Sequence, residues 1–346
     1  MKRPLKYFLV ESIRFFIPGL LVTILMMMAC GCNTETVTYD YALVLHGGAG
    51  STLESMPESA QEQYLNSLDT ALQLGLEVLD GGGASIDAVE TVIRYLEDNP
   101  LFNAGRGAVF TSEGRNELDA SMMTGHDMNA GAVAGVAGVR HPISAARAVM
   151  EQSPHVMFSG EGASAFAREA GLEIVDSSFF EVKMWTEPNQ GEKPEKMPDD
   201  ESDGKPDDKH GTVGCVALDR AGNLCAGTST GGMRDKTPGR IGDSPVIGAG
   251  TYANNSTCGV SATGHGEFFI RWAVAHDISA LMEYRGMDVE TAARTVVMKK
   301  LVEAGGDGGV ICLDSYGRAA MVFNTSGMFR AYGNSEGERI VALLKK

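Results

Sequence analysis

Midway along this 346-residue chain lies a stretch that no core can absorb: EPNQGEKPEKMPDDESDGKPDDKH, Glu187 to His210. From Glu187 to Lys209 nine acidic residues face four lysines, and no apolar period runs through them. Burial in such a segment cannot offset the entropy of ordering it, so a mobile linker is expected over about residues 186–210. The fold must therefore be assembled from the two pieces on either side. Order is expected to resume abruptly at Gly211, because Val213 to Asp219 reads as a buried strand. Structureless loops of this length are uncommon inside a domain, and they usually carry a function.

The first 32 residues stand outside the fold as well. Lys2, Arg3, Lys6 and Arg14 make a basic start, Phe15 to Ala29 an apolar run, and Cys30-Gly31-Cys32 follows. This is the pattern of a secretory signal with a small residue before a cysteine. Met27-Met28-Ala29-Cys30 and Ala29-Cys30-Gly31-Cys32 both resemble the bacterial lipobox. Cys30 is the expected lipidation site, with Cys32 the alternative, because a large apolar residue then stands three positions ahead. A retained transmembrane anchor is the competing reading, but the run is shorter than the roughly 20 residues a span needs and Pro18-Gly19 interrupts it. The protein is thus expected to be exported and lipid-anchored, on the periplasmic or outer side of a bacterial membrane.

The roughly 310 remaining residues suffice for one large core or two domains. A formal net charge of −16 argues against nucleic acid as a partner, since phosphate binding needs clustered Lys and Arg. Cys215, Cys225, Cys258 and Cys312 show no CxxC spacing and read as buried free thiols on strands. One helix is expected over 58–80, stopped by Gly81-Gly82-Gly83, and a second from Ser85 as its N-cap, with Ile86, Val89, Ile93 and Leu96 on one face. Further helices are expected over 142–152, opened by Pro142, and over 161–171, 267–284 and 289–304, the last capped by Asp288. Strands are expected at 41–46, with Gly47-Gly48-Ala49-Gly50 a tight turn after it, and at 118–122, 130–139, 213–219, 224–229 and 258–263. Two or three short strands close the chain. The small residues of 130–139 suit close sheet-to-sheet packing, and Phe268, Phe269, Trp272, Ala275 and Ile278 read as core. This order suits an α+β, four-layer αββα sandwich of two stacked sheets between helices.

The chemistry concentrates at His210-Gly211-Thr212-Val213-Gly214. A threonine hydroxyl is a poor nucleophile while its proton has nowhere to go. As the first residue of a chain it has its own α-amine within reach, with a reference pKa of about 7.7–8.0. The chain must then be cut between Gly211 and Thr212, and glycine tolerates the backbone strain that such a cut requires. Alone, a Gly-Thr at a strand start is structure. Here Thr228-Ser229-Thr230-Gly231-Gly232, Pro238-Gly239-Arg240-Ile241-Gly242-Asp243-Ser244-Pro245, Gly248 to Asn254 and Ala262-Thr263-Gly264-His265-Gly266-Glu267 follow, and His46 to Gly50, Pro100 to Gly105, Leu118-Asp119-Ala120, Ala130 to Val136 and Gly306 to Gly309 accompany them. In this order, and over nearly the whole mature chain, these motifs closely resemble the plant-type asparaginase and isoaspartyl peptidase family of N-terminal-nucleophile hydrolases.

The resemblance implies a role for each matching position. Thr212 is implied as nucleophile and Thr230 as the threonine that hydrogen-bonds and activates it. Thr263 and Gly264 are implied as the oxyanion hole, Arg240 as the grip on a substrate α-carboxylate, and Asp243 as the partner of its α-ammonium. It further implies residues 33–211 as an α subunit, 212–346 as a β subunit, a dimer of two α and two β chains, and L-asparagine and β-aspartyl dipeptides as substrates. No cofactor is implied beyond a structural sodium ion on the backbone carbonyls of Leu96, Glu97, Asn99, Phe102, Ala104 and Arg106. Arg106 departs from the apolar or small residue expected there.

Other readings remain beside this one. Glycosylasparaginase shares fold and nucleophile, but Gly211 stands where that branch typically has Asp. A catalytically idle binding lipoprotein has no use for the set Thr212, Thr230, Thr263, Arg240 and Asp243. His46-Gly47-Gly48-Ala49-Gly50 lacks the G-x-G-x-x-G register of a dinucleotide loop. His265-Gly266-Glu267 has the H-x-E spacing of zinc deaminases but no following P-C-x-x-C, and no HExxH is present.

Overall fold

The first ordered strand, β1 (Ala42–Gly50), alternates Leu43 and Leu45 toward one apolar cluster with Ala42 and Val44 toward another. That two-sided burial marks a strand inside a layered fold. The computed structural model describes residues 38–50, 56–180 and 211–345. The signal-like segment with Cys30 and Cys32, and the acidic linker, lie outside the described residues.

Among these residues one sheet has eight strands, in the order β12-β11-β1-β5-β6-β2-β3-β4. They are β1, β2 (Leu118–Thr124), β3 (Ala130–Val136), β4 (Met157–Ser159), β5 (Val213–Leu218), β6 (Leu224–Thr230), β11 (Gly327–Asn334) and β12 (Arg339–Leu344). The second sheet runs β10-β9-β8-β7, from β7 (Thr251–Ala253), β8 (Cys258–Gly264), β9 (Gly308–Asp314) and β10 (Ala319–Phe323). Helices α1 (Glu58–Asp80), α2 (Ser85–Asp98), α3 (Pro142–Gln152) and α4 (Gly160–Glu169) pack on the large sheet. Helices α5 (Gly266–Trp272), α6 (Val274–Arg285) and α7 (Val289–Arg294) lie on the side of the small one, and strands β5 and β6 meet β8 between the sheets. The architecture is the expected αββα sandwich.

Helix α2 shows why these elements form. Ala88, Val89, Val92, Ile93 and Leu96 are buried at helical spacing and pack on β5 and β6. Ser85 is the first helical residue, not the cap. Its own N–H is capped from a distance by Asp219 Oδ2 (3.0 Å), while Asp219 Oδ1 closes the turn between β5 and β6 by accepting from Ala221 and Asn223. Pro142 and Asp288 open their helices as expected.

Several expectations are corrected. Gly47-Gly48-Ala49-Gly50 is no turn: β1 continues through it, with a register shift between His46 and Gly48. A side chain at Gly47 would overlap the Phe102 ring, so the strand bulges where it has none. The expected helix over 267–284 breaks at Ala273, which adopts the left-handed conformation (φ 47°), and Trp272 before it is 42% exposed, not core. The helix expected to run to 304 passes at Thr295 into π-helical turns, Thr295–Leu301. The small residues of β3 serve helix packing: a Cβ on Gly131 would overlap the carbonyl of Ala146 in α3. Four strands, not two or three, close the chain.

Candidate active site

Strands β5 and β6 pair antiparallel with Val213 opposite Ser229, so the register carries Thr212 alongside Thr230 at the end of the ladder. Thr212 Oγ1 donates to Thr230 Oγ1 (3.2 Å), which also accepts from the N–H of Gly232 (3.0 Å). Both threonines are buried between the sheets. The period-two alternation of β6 divides its hydroxyls. Thr228 and Thr230 face the second sheet, while Ser229 points to the helix layer and donates to Glu97 Oε1 (2.6 Å). Burial pushes the Glu97 carboxyl up to about 8 against the hydrogen bonds from Ser229 and the Ile143 N–H.

Across the gap, β8 ends in Thr263 and Gly264. Thr263 is fully buried, and its Oγ1 has no hydrogen-bond partner among the described residues. Gly264 has φ 146°, and a Cβ there would overlap the carbonyl of Asp307; only glycine fits this strand end. The loop between β6 and β7 supplies the charged groups. Arg240 lines the same cleft as Gly211, Thr212, Thr230, Asp243 and Gly264. Its Nε and Nη2 donate to the two oxygens of Glu267 on α5 (2.9 and 2.8 Å). Asp243 is not its partner. It is buried, its Oδ2 has no hydrogen-bond partner among the described residues, and desolvation raises its carboxyl to about 7. The loop itself is pinned to β2 by buried Lys236, which donates to the Glu117 carbonyl (2.7 Å) beside Asp119.

The site therefore joins a hydroxyl pair, a buried hydroxyl and a buried carboxylate, each of the latter with an unpartnered oxygen, and a guanidinium whose Nε edge is already held. Residues 39–343 match the profile of the asparaginase family, Asparaginase_2. The chain belongs to that asparaginase family. It is 48% identical over 295 residues to the isoaspartyl peptidase of Escherichia coli K12, covering 84% of this chain and 92% of that one. A probable isoaspartyl peptidase/L-asparaginase 2 of Arabidopsis thaliana is 41% identical over 324 residues, covering 88% and 98%. The plant-type L-asparaginase of Thermococcus kodakarensis is 40% identical over 299 residues, covering 84% and 95%.

This asparaginase-family site contains residues that sequence reasoning passed over. Glu267 ends the matching motif Ala262 to Glu267 with no role implied for it, yet it holds Arg240. Asn103 makes three contacts to two segments: its Nδ2 donates to the Gly232 carbonyl (2.7 Å), its carbonyl accepts from the Gly231 N–H (3.0 Å), and its Oδ1 accepts from the Val109 N–H (2.9 Å). His46 donates to the carbonyl of Thr212 itself. A histidine on a buried strand was the available signal, and its position in a glycine-rich motif obscured it. The four cysteines among the described residues, Cys215, Cys225, Cys258 and Cys312, are buried and free on β5, β6, β8 and β9, and burial pushes their thiols up.

The loop that carries Asn103 is also tightly wound. Gly105 has φ 51°, and side chains on Gly105 and Gly107 would meet the carbonyls of Glu97 and of Pro100 and Phe102. The Arg106 guanidinium lies over the Phe179 ring, 5.4 Å from its centroid.

Proposed function

We propose that this chain cleaves itself before Thr212 and then hydrolyses L-asparagine and β-aspartyl dipeptides with Thr212 as nucleophile. The observation that carries the reading is the Thr212–Thr230 hydroxyl contact beside two buried, unpartnered groups of fitting chemistry, Asp243 Oδ2 and Thr263 Oγ1. In the precursor, Thr212 Oγ attacks the Gly211 carbonyl, the C–N bond breaks, the nitrogen takes a proton, and water hydrolyses the resulting ester. The products are the Gly211 carboxylate and a free Thr212 amine. That amine then accepts the Oγ proton as Oγ attacks the substrate's side-chain carbonyl, and it returns the proton to the departing ammonia or amino acid. The Thr263 hydroxyl and Gly264 N–H hold the oxyanion, and water releases aspartate from the ester.

Asp243 suits an α-ammonium, a cation that would restore its buried charge to a pair. Arg240, held at its Nε edge by Glu267, suits the α-carboxylate. The Asn103 loop suits a sodium ion on the carbonyls of Leu96, Glu97, Asn99, Phe102, Ala104 and Arg106, since the Arg106 cation is directed at Phe179 rather than into the loop. The ion would stiffen the loop that presents Asn103. We read the basic, apolar, cysteine-ended start as a lipoprotein signal with Cys30, or Cys32, as the anchor, and the processed protein as a dimer of two 33–211 and two 212–346 chains. No helix among the described residues is long and apolar enough to cross a membrane.

Intact mass and N-terminal sequencing of the purified protein test the reading. A chain beginning at Thr212 is expected, with release of ammonia from L-asparagine and of leucine from β-aspartyl-leucine, whereas Thr212→Ala stays one chain. Efficient cleavage of that variant, or a wild type that prefers α-aspartyl peptides, overturns it.

A further inference from the structure

The ladder between β1 and β5 ends at His46 opposite Gly214, two residues short of Thr212. There β1 bulges away, and its side chain takes over the tie that the backbone gives up. His46 Nδ1 lies 3.0 Å from the Thr212 carbonyl. A carbonyl only accepts, so Nδ1 carries the proton, and in the neutral ring Nε2 is left as an acceptor. Its neighbour is Ser261 Oγ on β8, 3.0 Å away. The Ser261 hydroxyl must therefore donate to Nε2. Beyond it Ser261 Oγ contacts Thr228 Oγ1 on β6 (2.6 Å), Thr228 contacts Thr251 Oγ1 on β7 (2.6 Å), and Thr251 contacts Ser121 Oγ on β2 (2.7 Å). All of these residues are fully buried.

Each hydroxyl has one proton, and the acceptor at the Thr212 end sets its direction. Ser261 gives its proton to the ring and the ring gives its own to Thr212; Thr228 therefore donates to Ser261 (2.6 Å) rather than to the more distant Gly250 carbonyl (3.1 Å), and Thr251 donates to Thr228, while Ser121 at the far end also has the Ser244 carbonyl (2.5 Å) to donate to. A chain of donors aligned in one sense polarises each member in turn. Gly214 makes room for it: a Cβ there would overlap both Ser261 Oγ and His46 Nε2. None of these residues touches the place where substrate would sit; Arg240, Asp243 and Gly264 do that.

We propose that His46, oriented by the Ser261–Thr228–Thr251 hydroxyl chain, is the positioning residue of the nucleophile: it clamps the Thr212 carbonyl and so fixes the peptide plane from which the Thr212 Oγ and amine project. The inference rests on the reading of Thr212 above. Burial keeps the ring neutral, holding its pKa down at about 3, and a neutral ring is what the chain of contacts requires; the tautomer is set by the Thr212 carbonyl. A clamp on the nucleophile's own backbone affects self-cleavage and turnover together, and it leaves substrate binding alone.

The test uses the full chain, following self-cleavage by intact mass and turnover of L-asparagine on the processed protein. His46→Leu removes the donor. His46→Asn returns an N–H near the Nδ1 position, and Ser261→Ala keeps the ring but removes the donor that fixes its tautomer. For His46→Leu, self-cleavage and kcat should fall about tenfold or more, the change that 1.4 kcal/mol makes, with KM within about twofold. His46→Asn should recover most of that loss, and Ser261→Ala should lower kcat by about three- to tenfold at unchanged KM. Normal kcat in a folded His46→Leu, an Asn variant no better than Leu, or a loss confined to KM overturns the proposal. Should both His46 variants fail to fold, Ser261→Ala decides: wild-type kcat there overturns it as well. A wild type that neither cleaves itself nor hydrolyses asparagine defeats the underlying reading instead, and is seen in the same assay before any variant is compared.

Discussion

Burying Asp243 with one oxygen unpartnered among the described residues makes the folded protein less stable wherever that carboxyl is ionised. Its folded pKa is raised from 3.8 to about 7, with desolvation the largest cause; nearby Glu267 and Asp119 add to the rise and Arg240 opposes it. The stability contribution is therefore fully present below the unfolded pKa and is lost as pH rises through about 7. Asp243→Asn cannot ionise, so at pH 8 it should be more stable than wild type by on the order of a few kcal/mol and melt at a higher temperature, whereas near pH 4 the two should melt at nearly the same temperature. The same variant should lose asparagine turnover by at least about tenfold, since it has no charge for an α-ammonium. Paired melting curves at the two pH values check this, and equal melting temperatures at pH 8 would refute it. The motifs made Asp243, Thr212, Thr230 and Thr263 legible in the sequence, because chemistry fixes residue type and order. Thr228, Thr251, Ser261 and Ser121 were not legible. A hydroxyl on a strand has the same sequence signature whether it faces a neighbour's hydroxyl across the sheets or merely satisfies itself locally.

Helix α2 is held at its start by a residue more than a hundred positions away, and its register on β5 and β6 depends on that tie. Asp219 accepts from Ser85 at the helix start and from Ala221 and Asn223 in the turn, and it is buried. Asp219→Ala should destabilise the fold by about 1–2 kcal/mol, as lost N-caps do, lowering Tm by several degrees. Its activity near room temperature should stay near wild type, because the site lies at the opposite ends of β5 and β6. Thermal melts beside an ammonia-release assay measure both, and a drop in turnover with no change in Tm would refute the assignment. The helix itself was legible from Val89, Ile93 and Leu96, but its cap was not. Ser85 has the right chemistry and the wrong position, and a partner at Asp219 leaves no local signal. The break at Ala273 escaped for the opposite reason: nothing in Trp272-Ala273-Val274 lacks helix propensity, so only tertiary packing places that residue in the left-handed region.

At the scale of the molecule, the two pieces flanking the linker are not two domains. In the eight-stranded sheet the piece before Gly211 supplies β1 and the run β2-β3-β4, and the piece after it supplies β12-β11 and the pair β5-β6. Strand β1 is thus enclosed between β11 and β5, and β6 lies against β2. These pairings join residues as far apart as Ala42 and Asn334, and for that reason the αββα class could be read from the order of elements while the strand order could not. The interleaving bears on the proposed cut. Hydrolysis before Thr212 severs one peptide bond at the end of β5 and no ladder. Pulling the products apart would strip both edges of β1 and expose the edges of β5, β6 and β2, together with the apolar clusters beneath them. The processed protein should therefore elute in native buffer as one species containing both chains, unfold in a single transition, and resolve into two polypeptides only in denaturant. Residues 33–211 expressed alone should fail to fold, because β1 would lack partners on both sides. Separation of the two chains in native buffer, or two resolved unfolding transitions after processing, would contradict the interleaved sheet.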